Sequence, residues 1–206
     1  MSTTARARNL RGQGNLLRAE VLDAVDRLVG DDARFRPKAL ALREVAREAG
    51  ISAPAIYQHF ANKEELIEAA VTEGFDLLTE SMRAAEDDCG ETAKATDILA
   101  AQARAYCRFA DRHRGFFRLM FASGALIENT ADATEAVEEL SAQWASAASG
   151  LREQGVRTQL PPDQLAMFIW SAVHGRITLA RLLNTTAEDL NELVDALITE
   201  ILAVVR

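Results

Sequence analysis

LREVAREAGISAPAIYQHFANKEEL, residues 42–66, is the stretch that decides how this chain folds. Leu42, Val45, Ala46 and Ala49 recur at helical spacing, with Arg43, Glu44, Arg47 and Glu48 on the opposite face. Gly50 follows, where a helix C-terminus needs a residue tolerant of a left-handed backbone. Ile51 is then free to plug the angle between two helices. Ser52 is placed to cap the second of them, and Pro54 falls in its first turn, where a missing N–H costs little. Ile56 and Phe60, four apart, face the core and leave Ala53, Ala55, Tyr57, Gln58 and His59 largely outward. Asn62 with Glu65 reads as a capping-box-like start for the next helix. Two short helices about a glycine turn are the layout of a helix-turn-helix, whose second helix enters a DNA major groove.

Tyr57-Gln58-His59-Phe60 followed by Lys63-Glu64-Glu65-Leu66 fits the pattern Y-x-H-F-x-x-K-E-x-L, with Ile51-Ser52 behind Gly50. On these residues the chain resembles the TetR family of transcriptional regulators, over roughly residues 15–75. Trp170-Ser171-Ala172-Val173-His174-Gly175 is similar to a W-x-x-x-H-G signature in one group of that family's C-terminal domains. The resemblance implies a three-helix DNA-binding domain carrying a larger helical ligand-binding and dimerisation domain. It also implies that Tyr57 and Lys63 meet phosphates and that Gln58 and His59 sit at or near the groove. The chemistry agrees, since Lys is a point charge for phosphate and Gln can bond adenine edges. Arg43, Ser52, Ala53 and Ala55 complete the candidate DNA-facing set. The chain also departs from the family pattern. Ala41 stands where a hydroxyl is common, and Ala53 and Ala55 replace polar residues early in the recognition helix. Such alanines can touch thymine methyls but donate no hydrogen bonds. Structural roles stay open beside these: Tyr57 as a ring over the core edge, His59 bonded to nearby backbone, and Lys63 as an exposed helix-start lysine.

Charge is unevenly distributed. The whole chain carries −8, but residues 1–63 hold 11 Lys+Arg against 7 Asp+Glu, a net +4, leaving −12 for the remainder. Arg8 and Arg11 belong to an Arg-rich stretch ahead of the first helix, either a phosphate-tracking or minor-groove arm or a merely soluble tail. The acidic remainder would keep the larger domain off a duplex.

At 206 residues, 49% hydrophobic with only 6% aromatic and four prolines, the composition suits an all-α protein. No apolar run is long enough to span a membrane, and the N-terminus lacks a signal-peptide core, so a cytoplasmic protein is expected. Cys89 and Cys107 are lone thiols, neither a CxxC pair nor a disulfide framework. His59, His113 and His174 lie far apart and none has Glu three residues before it, which leaves a di-iron bundle without support. No phosphate-cradling glycine loop, nucleophile elbow or H-E-x-x-H helix occurs. Catalysis, a metal site and a cofactor are therefore not expected.

The periodicity predicts about nine helices, divided as a basic arm (1–14), a helix-turn-helix domain (15–62) and a regulatory and dimerisation domain (63–206). A long fourth helix, roughly 63–86, is the expected connector. The last two helices, about 163–183 and 187–205, carry apolar stripes that suit a four-helix interface across a two-fold axis. Leu165, Ile169, Ala172 and Val173 on one, with Leu190, Leu193, Val194, Leu197 and Ile201 on the other, are the candidate dimer contacts, and Gly175 permits close approach. Tyr106, Phe109, Met120, Phe121, Trp144, Phe168, Trp170 and His174 are candidates to line a mostly apolar ligand cavity, although an aromatic and Met stripe is often plain core. The expectation is a ligand-responsive DNA-binding regulator. By resemblance it is a homodimeric repressor released from a palindromic operator by a small, largely apolar molecule. The alternative is a helical sensing or interaction module without DNA binding.

Overall fold

The computed structural model describes residues 14–31, 40–121, 131–183 and 187–204, and for 14–15, 131–133, 187–191 and 204 the backbone alone. Arg8 and Arg11, the arm 1–14 up to residue 13, most of the loop after the first helix and the side chain of Leu190 lie outside this set. Among the described residues there are nine helices and no strand: α1 (Gly14–Gly30), α2 (Leu42–Glu48), α3 (Ala53–Ile56), α4 (Lys63–Asp87), α5 (Ala95–Arg112), α6 (Arg114–Met120), α7 (Ala131–Glu153), α8 (Pro162–Leu182) and α9 (Ala187–Val204).

The helix-turn-helix is fixed by local chemistry. Gly50 has φ of 68°, and no atom lies within 4 Å of where its Cβ would sit, so conformation rather than space requires glycine. The Ile51 N–H donates to the Ala46 carbonyl at 2.9 Å and the Gly50 N–H to that of Arg47 at 3.2 Å, a Schellman closure of α2. Leu42, Val45, Ala46, Ile56 and Phe60 are buried against Val21, Val25 and Val29 in one core cluster. Ser52 holds the N-cap position of α3, but its hydroxyl makes no capping bond. Pro54 has no N–H to offer, and the Ala55 N–H already donates to the Ser52 carbonyl at 2.9 Å.

α4 begins as expected. The Glu65 N–H donates to Asn62 Oδ1 at 2.8 Å, while the Glu65 carboxylate accepts from Ala61 N–H at 2.7 Å, one residue earlier than a reciprocal capping box would place it. Ile67, Val71, Phe75, Leu78 and Met82 form its buried stripe. α4 packs on α1, α5, α6 and α7, and so joins the helix-turn-helix to the rest. α8 lies on α7 and α9, and α9 also meets α5. Leu16, in the first turn of α1, and Val137 on α7 are exposed apolar residues.

Candidate nucleic-acid interface and effector core

Ile56 and Phe60 are completely buried, and they pin the turn that follows α3. Tyr57, 52% exposed, and Gln58 therefore project outward, while Ala53, Ala55, His59 and Lys63 are half-buried and Ser52 and Arg43 exposed. No side-chain hydrogen bond holds Tyr57, Gln58, His59 or Lys63 among the described residues, so the backbone-bonded role open to His59 is not adopted. Arg18 of α1 lays its guanidinium over the Phe60 ring at 4.8 Å. Glu73 and Asp76 on α4 carry raised carboxyl pKa values, first through burial and then through neighbouring acids. A negative face thus begins within three turns of the basic end.

A second constellation ties α1 to α6. Asp26, nearly buried, accepts from His113 Nδ1–H at 2.9 Å and from the Phe116 N–H at 2.9 Å, so one carboxylate binds the imidazole and caps the start of α6. Gly115 makes the approach possible, since a Cβ there would sit 2.1 Å from the Asp26 carbonyl oxygen. Arg118 adds a bond to the Val29 carbonyl at 2.6 Å. The sequence reading missed this junction. Its only signal was a lone Asp beside the apolar stripe of α1 and a glycine before two phenylalanines.

The larger domain gathers some expected pocket residues and scatters others. The Tyr106 hydroxyl accepts from Trp170 Nε1–H at 3.1 Å and lies 2.9 Å from His174 Nδ1. With its oxygen occupied by the indole, the phenol proton points to Nδ1, which accepts it. His174 stacks on Phe117 (5.2 Å, 19°) and meets Phe121 at 4.4 Å. Burial, then Arg181, lowers its pKa, in keeping with a neutral ring. The four-residue step from Trp170 to His174 thus has a physical reason: both face one phenol from the same side of α8. Trp144 stands 5.9 Å from the Tyr106 ring. Phe109 and Met120 are buried elsewhere. Phe109 stacks on His113 at 5.1 Å, and Met120 fills the space over Gly74. Phe168 is not in a pocket at all; it is 44% exposed on the outer face of α8. A groove of about 360 Å³ between α4 and α5 is lined by Leu77, Glu80, Ser81, Arg108, Phe109, Arg112 and His113, outside the aromatic cluster. Cys107 is buried, which pushes its thiol up to about 12, and Cys89 donates to the Ala85 carbonyl; neither is poised for redox chemistry.

The candidate dimer residues divide similarly. Leu165, Ile169, Val173, Val194 and Ile201 are buried within the protomer, because α8 turns that stripe toward α7 and α9 packs on α5. They are not open to a partner as packed. Ala172, Leu193 and Leu197 are half-buried. The free apolar face of α8 is a different one: Met167, Phe168, Leu179, Leu182 and Leu183 are exposed, the last two by 73% and 77%. Gly175 lies on that side with nothing within 4 Å of a would-be Cβ.

The fold and its reading end define a helix-turn-helix protein with a helical core domain. Residues 37–70 match the family described as bacterial regulatory proteins, tetR family, and residues 99–201 match the tetracyclin repressor-like C-terminal domain. The chain therefore belongs to the TetR family and is a DNA-binding transcription regulator. No curated protein sequence matches significantly. Among solved structures, a protein of unknown function from Rhodococcus sp. RHA1 is 24% identical, with 98% of this chain and 99% of that one covered and a TM-score of 0.76. The fatty acid degradation regulator FadR from Bacillus halodurans is 15% identical (91% and 99% covered, TM-score 0.73). The TetR family transcriptional regulator PfmR from Thermus thermophilus is 20% identical (90% and 95% covered, TM-score 0.69). Among the described residues no helix is long and apolar enough to cross a membrane, and no group of His, Cys, Asp and Glu is arranged to hold a metal.

Proposed function

We propose that the chain is a cytoplasmic homodimeric repressor that presents the α3 turn to two successive major grooves of an operator and lets go when a small molecule occupies the core domain. The observation that carries the reading is the pinning of Ile56 and Phe60, which leaves Tyr57 and Gln58 projecting with no side-chain hydrogen bond among the described residues. In this reading Tyr57 and Lys63 bond phosphates, Gln58 and His59 lie at base edges, Arg43 and Ser52 flank them, and Ala53 and Ala55 press on thymine methyls. Arg8 and Arg11 add phosphate or minor-groove contacts. The partner subunit covers the exposed α8 face around Phe168, Gly175 and Leu179 together with Leu193 and Leu197 of α9, which buries an apolar stripe otherwise left in water.

Release works through two helices. Phe117 and Phe121, on and just after α6, touch His174, and Phe121 also meets Phe75 of α4 at 5.8 Å. α6 is in turn fastened to α1 by Asp26. An occupant that moves these rings shifts α4 and α6, and with them the spacing of the two reading ends. The test is retention of the full chain on duplex DNA across a salt series. Affinity falling steeply with salt supports the reading. Absent binding makes the chain a sensing module, and a salt-independent signal removes the phosphate contacts.

A further inference from the structure

Three polar atoms on three adjacent helices have no hydrogen-bond partner among the described residues: Thr79 Oγ1 on α4, Gln102 Oε1 on α5 and Trp144 Nε1 on α7. Each residue is at least 98% buried. Elsewhere in this interior polar groups are matched, as in the Trp170–Tyr106–His174 chain. Interiors rarely leave such atoms alone, and three on one interface point to something that they receive. The helices that carry them are tied together by bonds. Gln102 and Gln143 both donate to Glu86 Oε2, at 2.8 and 2.9 Å, which sets α5 and α7 against one carboxylate of α4. Trp144 follows Gln143, and its ring meets Tyr106, one turn beyond Gln102. Thr79 lies about two turns before Glu86 on the same face of α4.

The chemistry of the three atoms specifies a head group. Glu86 can only accept, so the Gln102 amide must turn its NH₂ to that carboxylate and leave its carbonyl oxygen as an acceptor. The indole of Trp144 can only donate, and the Thr79 hydroxyl does either. An anionic head would meet Glu86 behind Gln102, and no Lys or Arg side chain is buried among the described residues to balance it. A cationic head would face the indole N–H. Met82, Leu99, Ala103 and Leu140, buried on the same helical faces, offer only apolar surface to the rest of the molecule. Resting on the reading of this domain as effector-binding, we infer that the effector is an uncharged amphiphile. Its amide- or hydroxyl-type head both donates and accepts hydrogen bonds, and is held by Thr79, Gln102 and Trp144.

The full chain labelled with ¹⁵N-tryptophan gives two indole N–H signals, and Trp170→Phe assigns that of Trp144. Titration with octanamide, octan-1-ol, octanoate and octylamine then reads the site without DNA. The expected result is a saturable downfield shift of the Trp144 signal with the two neutral probes alone. Thr79→Val should melt no lower than the parent, having lost an unpartnered hydroxyl, and bind octanamide about fivefold more weakly. A flat response to all four probes, or a shift with octanoate or octylamine, overturns the inference. So does a lowered melting temperature in Thr79→Val, which would show the hydroxyl already satisfied. Operator retention is measured separately, so its loss with an intact indole response counts against the repressor reading alone.

Discussion

The two ends of this molecule treat polar groups in opposite ways. Around α3 the side chains suited to a partner stand in water: Tyr57 and Gln58 project because Ile56 and Phe60 are anchored below them. In the α4–α8 core the polar groups are sealed in. Some are fully satisfied, as in the Tyr106 cluster, and some atoms have no hydrogen-bond partner among the described residues, as Thr79 Oγ1, Gln102 Oε1 and Trp144 Nε1. The lesson is that readiness to bind looks different in the two settings. At a surface it shows as an exposed group on a rigid base, and in an interior it shows as an unmatched atom. Between the two ends stands the Asp26 junction, which makes the difference useful, since it fastens the core to the reading end.

The sharpest way to break the comparison is at that junction. Gly115→Ala forces a Cβ into the Asp26 backbone and should cost about 3 kcal/mol in urea unfolding, near the upper end for overpacking. Gly175→Ala meets nothing within the protomer and should leave unfolding of the protomer little changed, while weakening self-association measured by sedimentation. Equal losses in the two variants would deny that the junction is special. Next in size, Tyr106→Phe leaves the Trp170 indole and the His174 ring without their shared partner and should cost about 2 kcal/mol. A neutral outcome would mean that the cluster holds by ring packing alone. At the DNA end, Lys63→Ala should leave stability unchanged and lower the log–log salt slope of binding by about one; an unaltered slope would take Lys63 off the phosphate backbone.

The smallest effect concerns pH. Burial depresses the His174 pKa below its ordinary value, so the unfolded chain takes up the proton first. The neutral ring contributes its full stability above the unfolded pKa of about 6.5, and that contribution is lost as pH falls toward the depressed folded value. Urea unfolding should therefore weaken on acidification through this window, and His174→Gln should remove part of the slope. A slope identical in the variant would place the titration elsewhere.

The reading end was legible in the sequence because its determinants are local. Gly50, Asn62 and Glu65 act on neighbours within five residues, and the four-residue step from Ile56 to Phe60 marks the face that is buried. Ser52 was the exception, since Pro54 two residues on removes the donor that it would have capped. The core domain was legible as helices but not as contacts. Trp170 reaches Tyr106 across 64 residues, and Asp26 reaches Phe116 across 90, separations that no local period records. The stripe on α8 shows the limit clearly. Leu165, Ile169 and Val173 have the spacing of an interface but belong to the core, while Phe168, counted toward the pocket, faces out. Periodicity identifies a buried face without saying whether the same chain or another one buries it.

The central claim is that a matched pair of α3 turns reads DNA. Selection of duplexes bound by the full chain from a random pool tests it most directly. Recovered sequences should carry two inverted half-sites centred about 10–10.5 base pairs, or a multiple, apart. A pool that never enriches, or one that converges on a single unpaired half-site, would contradict it.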